Sequence, residues 1–137
     1  MGAWGTNTFD NDEALDWVQE LATCDDHSLI IDTLNKVADN TDEYCEAPDC
    51  CRALAAAEVV AGIKNGARDD HPEGIRTWLE FNCQTSNPKL FKLALAAIDR
   101  IKTRSELKDL WDDADEASQW YDAVEDLERR IKQGRFG

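Results

Sequence analysis

Clustered carboxylates are the first candidates for chemistry in this sequence. Asp12, Asp16 and Glu20 follow one another at four-residue intervals, which places them on one face of a helix, and Glu13 with Asp16 forms a Glu-x-x-Asp pair on the same segment. Asp112, Asp113, Asp115 and Glu116 offer a second set. Hard divalent cations require converging anionic oxygens. Two such sets on facing helices would suit a metal-dependent hydrolase of a nucleotide or phosphate ester, working through Asp12, Glu13 and Asp16 with Asp112, Asp113 or Asp115. No cluster of Lys or Arg accompanies either set to hold substrate phosphates. The same acids are what the solvated faces of amphipathic helices carry, so no metal, no cofactor and no catalytic residue is assigned.

Thiols and imidazoles come next. Cys45, Cys50, Cys51, Cys83, His27 and His71 supply enough donors for zinc, but Cys-x4-Cys-Cys is not a recurring ligand spacing and no second Cys-x-x-Cys exists. A thiol nucleophile would need a Cys and a His brought together in space, for example Cys83 with His71, and neither lies in a local signature for such chemistry. Five cysteines, two of them adjacent, make a poor disulfide framework and read as free thiols of a reducing compartment. No acidic loop with the glycine of a calcium site, no glycine-rich phosphate cradle and no serine elbow is present.

Charge bounds the partners. The formal net charge is −14, and it is uneven: residues 1–50 hold 13 acidic side chains against Lys36 alone, whereas residues 51–105 hold 6 acidic against 9 basic. Lys89, Lys92, Arg100, Lys102 and Arg104 make that middle mildly basic. Such a field repels nucleic-acid phosphates and anionic membranes and steers basic proteins toward the surface. No apolar run approaches a membrane span, and the opening residues lack the pattern of a secretory signal, so the expected setting is cytoplasmic.

The elements that must position these groups are helical. Asp10 is the expected N-cap of a first helix running to about Thr23, with Glu13 completing a capping box and Phe9 stapling against Ala14; Ala14, Leu15, Val18, Leu21 and Ala22 face inward and Trp17 lies at the edge. Asp25 or Asp26 is expected to cap a second helix with its stripe at Leu29 or Ile30, Leu34, Val37 and Ala38. Pro48, Pro72 and Pro88 mark the first turns of three further helices, the first of them Ala-rich from Ala53 to Ala61 and terminated at Asn65-Gly66. Thr103 with Glu106 marks a break, after which an apolar stripe from Leu107 through Trp111, Ala114, Ala117, Tyr121, Val124 and Leu127 to Ile131 predicts one long helix over 105–133, roughly 43 Å at the α-helical rise. The expected fold is all-α: one domain over residues 1–137, an irregular or orthogonal bundle of five or six helices with a long C-terminal helix, preceded by an arm over 1–9 that Trp4 and Phe9 pack down. Trp120 lies off the main stripe and is expected to be exposed, an interface anchor.

The opening Met-Gly-Ala-Trp-Gly-Thr-Asn-Thr-Phe-Asp-Asn-Asp-Glu-Ala-Leu-Asp-Trp resembles a bacterial family of small proteins catalogued as a domain of unknown function, numbered 4259. The Ala-rich middle helix, the Asn-Pro start and the Glu-Leu-x-x-Leu-Trp segment extend the resemblance over most of the chain. It implies a bacterial, intracellular setting and carries no activity to transfer. From size, helical fold, charge and the lack of a catalytic constellation, the expected function is a non-enzymatic protein-protein interaction module, such as an immunity or antitoxin-like protein. Its partner would be basic, met through Asp12, Asp16, Glu20, Asp112, Asp113, Asp115, Glu116 and Trp120.

Overall fold

The computed structural model describes residue 9 and residues 11–24, 27–39, 45–65, 71–82, 88–115 and 117–133. Among these the chain forms seven helices and no strand: α1 (Asp12–Leu21), α2 (Ser28–Ala38), α3 (Ala47–Asn65), α4 (Glu73–Asn82), α5 (Pro88–Thr103), α6 (Glu106–Asp112) and α7 (Ala117–Gln133). The organising element is α3, which packs against each of the other six. A helix enclosed on all sides must be apolar on all sides. Every residue from Ala53 to Gly62 is buried, and the run of alanines keeps α3 thin enough for its neighbours to close around it. The closest approach is at Gly62, where a Cβ would lie 2.5 Å from Leu79 Cδ1 of α4.

The outer helices turn one stripe toward this axis. Ala14, Trp17, Val18 and Leu21 of α1, Ile30, Leu34 and Val37 of α2, and Leu90, Ala94, Ala97, Ile98 and Ile101 of α5 are buried. Trp17 is therefore core, not edge: its indole N–H donates to Thr33 Oγ1 of α2 at 2.8 Å, while Leu15 is half-buried and Ala22 exposed. A tryptophan buries well when its one polar atom finds such a partner.

Several helix ends differ from expectation. The N-cap of α1 is Asn11, extended in backbone and accepting from the Ala14 N–H at 2.8 Å; Asp10 lies outside the described residues, as do Trp4, Asp25, Asp26 and Gly66. The helix stops at Leu21, where Thr23 turns back with both its N–H and its hydroxyl onto the Glu20 carbonyl. His27 precedes α2 without a side-chain cap. Pro88 opens α5 as its spacing predicts, Pro48 is the second residue of α3, and Pro72 stands just before α4, its carbonyl accepting from Ile75 and Arg76.

The largest correction concerns the last third of the chain. The expected single helix over 105–133 is two, α6 and α7, which brings the count to seven. Ser105, not Thr103, caps α6: its hydroxyl accepts from the Lys108 N–H at 3.0 Å and donates to the Ile101 carbonyl at 2.7 Å, while Thr103 bonds back to Asp99 within α5. The apolar spacing runs through 112–116 unbroken, but the backbone there makes tight turns, Ala114 N–H to Trp111 and Ala117 N–H to Ala114. Asp115 suits the positive start of α7, whereas Asp112 and Asp113 lie unfavourably at the negative end of α6, so the stop there is not set by the dipole. The C-terminal helix is thus about 25 Å long.

Candidate interaction cleft

The face made by α1, α2 and the first half of α3 holds a cleft of about 360 Å³. Trp17 and Leu29 give it an apolar floor, and the Trp17–Thr33 hydrogen bond fixes the indole there. Around that floor stand five carboxylates, Glu13, Asp16, Glu20, Asp32 and Asp49, and two cations, Lys36 and Arg52. The cations have local partners. Arg52 pairs with Glu13 at 2.6 Å and with Asp49 at 3.2 Å, and Lys36 reaches Asp49 at 3.4 Å. These pairs tie α1 and α2 to α3 and consume the positive charge of the cleft. Asp16, Glu20 and Asp32 are exposed and form no ion pair among the described residues. The result is a concave, acidic surface with an aromatic base, suited to a cation rather than an anion.

Of the acids singled out in the sequence, Asp16 and Glu20 line this cleft, and Asp12 is exposed on α1 but does not. Asp32 was missed because its place depends on α2 lying beside α1, which no spacing within either helix reveals. The second acidic set stands elsewhere, since α1 packs on α3 and α4 while α6 packs on α3, α5 and α7. Asp112 is engaged in holding the α6–α7 corner: it accepts from Tyr121 at 2.8 Å and from Lys108 at 2.6 Å, and these donors hold its carboxyl below the usual range. Asp113 and Asp115 are exposed in the corner, and Glu116 lies outside the described residues. Trp120 is not exposed. It is 3% accessible, stacked on Trp111 with ring centroids 6.4 Å apart and edge-on to Tyr121 at 4.9 Å, because the break in the chain folds α7 back on α6 and makes this ring the seal of their contact.

The metal-site donors are dispersed. His27 lies against the Trp78 ring, His71 bonds Glu58, Cys45 and Cys50 face one another, and Cys51 is buried beside Glu13 and Arg52, its thiol pushed up to about 11 by loss of solvent. Cys83 lies outside the described residues. Among the described residues no three His, Cys, Asp or Glu side chains converge as a group able to hold a metal ion. No helix among them is long and apolar enough to cross a membrane.

A buried charge cluster went unrecognised in the sequence. Glu58, 6% accessible, accepts from both terminal guanidinium nitrogens of Arg130 at 2.9 Å and lies 3.1 Å from His71 Nε2. Burial opposes its ionisation, but the hydrogen bonds from His71 and Arg130 prevail and hold its carboxyl at about 2. Phe9 and His71 meet edge to face with ring centroids 6.1 Å apart, and Asn65 donates to the Arg130 carbonyl. The cluster clamps α3, α7 and the start of α4 together. A signal was present: a glutamate in the middle of an all-round apolar helix requires a buried partner.

No curated protein and no solved structure matches the chain. A family model does, over residues 2–123 of 137, and the chain belongs to the family that it describes, Domain of unknown function (DUF4259).

Proposed function

We propose that this protein is a non-enzymatic interaction module that receives a basic protein partner in the α1–α2–α3 cleft, in the manner of an immunity or antitoxin-like protein covering the basic substrate-binding face of a toxin. One observation carries the reading: Asp16, Glu20 and Asp32 stand around an apolar floor with no ion-pair partner among the described residues, while the neighbouring cations are already matched. A partner's Arg or Lys entering there would gain charge-assisted hydrogen bonds and lay its aliphatic stem on Trp17 and Leu29. The excess charge would also accelerate encounter, an effect that salt suppresses.

The test is affinity capture from the native host with the wild type and with D16N/E20Q/D32N. A basic protein is expected to be retained by the wild type at low salt, released at high salt, and not retained by the triple variant. Capture of no basic protein, or capture indifferent to the three substitutions, overturns the reading.

A further inference from the structure

Cys45 and Cys50 flank the amino-terminal end of α3, Cys45 two residues before Ala47 and Cys50 within the first turn. Their sulfurs are 3.0 Å apart, and both side chains are buried. The separation is within hydrogen-bonding reach of one thiol on the other, and the Cys50 thiol also lies 3.7 Å from the Cys45 carbonyl oxygen. The surroundings of the two sulfurs differ. Cys45 accepts from Cys50 and lies in the field of Arg100, and together these hold its thiol below the usual range against the opposing effect of burial. Cys50 keeps the proton: its bond to Cys45 and its burial push it well up.

We propose that Cys45 and Cys50 are a redox modification site, a dithiol that hydrogen peroxide converts to an intrachain disulfide and that a thiol reductant restores. The Cys45 thiolate attacks one peroxide oxygen, an S–O bond forms, the O–O bond breaks, and the departing oxygen leaves as water after taking a proton. Cys45 is then a sulfenic acid. The Cys50 sulfur attacks the Cys45 sulfur, and the S–O bond breaks as the S–S bond forms. The expelled hydroxide leaves as a second water with the Cys50 proton. Two thiols and one peroxide thus become one disulfide and two waters. The sulfurs need to close by about 1 Å to reach the disulfide length. The site is coupled to its neighbours, since the Cys45 carbonyl accepts from the Glu106 N–H and the Glu106 carboxylate accepts from the Ala47 N–H, each at 2.8 Å. The oxidised form would brace the junction of α3 and α6.

Reduced, folded full-length protein is treated with hydrogen peroxide, then unfolded and alkylated, and analysed by intact mass and by tandem mass spectrometry after cleavage at Glu46. The expected result is a loss of two hydrogen masses, a cross-link between Cys45 and Cys50, free Cys24, Cys51 and Cys83, and full reversal by dithiothreitol. The C51S variant should behave like the wild type, and the loss should vanish in C45S and C50S. A cross-link through Cys24, Cys51 or Cys83, or oxidation of Cys45 to a sulfinic acid without a cross-link, overturns the proposal. So does survival of both free thiols at a peroxide dose that oxidises them in the urea-unfolded chain. The wild-type cross-link map decides the matter even if a serine variant folds poorly.

Discussion

Glu58 shows how one residue can tie stability to pH. Its carboxyl titrates near 2 in the fold against 4.5 as an ordinary side chain. A depressed carboxylate contributes stability that is fully present above its unfolded value and is lost as pH falls through the folded one. Here the window runs from about 4.5 down to about 2, and the contribution amounts to about 3 kcal/mol at neutral pH. Glu58→Gln keeps the shape but leaves Arg130 without the carboxylate that binds both its terminal nitrogens, so urea unfolding at pH 7 should show a loss of about 3 kcal/mol. By pH 3 the gap between the two proteins should narrow to about 1 kcal/mol. A gap that stays constant across this range would mean that the residue acts through packing and not through its charge.

The elements are governed by close approach and by caps. At Gly62 the absent Cβ lets α4 lie against α3, and a Cβ there would meet Cδ1 of the buried Leu79. Gly62→Ala gains about 1 kcal/mol of helix propensity but crowds Leu79, at a cost of about 2 kcal/mol, so thermal unfolding should report a net loss of about 1 kcal/mol. Adding Leu79→Ala should cost less in the Gly62→Ala background than in the wild type by about 2 kcal/mol, the crowding that truncation relieves; strict additivity would show that the contact is not under strain. Ser105→Ala should cost about 1 to 2 kcal/mol by denaturant titration, since the hydroxyl is buried and makes the two bonds that end α5 and start α6; a loss below half of that would assign the break to other contacts. Period and proline placement reveal the core face of α2 and the start of α5 directly from the sequence. Trp120 and the division of α6 from α7 are not so legible. The apolar spacing is continuous from Leu107 to Ile131, and only the run of acids at 112–116 hints that the axis turns. The cleft is half legible: Asp16 and Glu20 share a face that four-residue spacing exposes, whereas Asp32, Trp17 and the pairing of Arg52 depend on which helices become neighbours.

Across the whole molecule, the net charge of −14 makes the fold repel itself, and the cleft concentrates that repulsion. Asp16 and Glu20 are one helical turn apart with like charge, an arrangement that destabilises a helix by about 0.2 to 0.5 kcal/mol, and Asp32 faces the same cleft from α2. A surface built only for stability would have matched these acids as it matched Glu13 and Asp49 with Arg52. Removing their charge in D16N/E20Q/D32N should therefore stabilise the protein, by about 0.5 to 1 kcal/mol at low ionic strength. In 1 M NaCl, where screening is effective beyond about 3 Å, the advantage should largely disappear, and the wild type itself should gain stability from the added salt. The same variant that unfolds less readily should lose the basic partner, because the repulsion held in the free cleft is what a cationic side chain relieves on binding. If the triple variant is instead less stable at low salt, the three carboxylates support the fold, and their unpaired state in the cleft has a structural origin and not a recognition one.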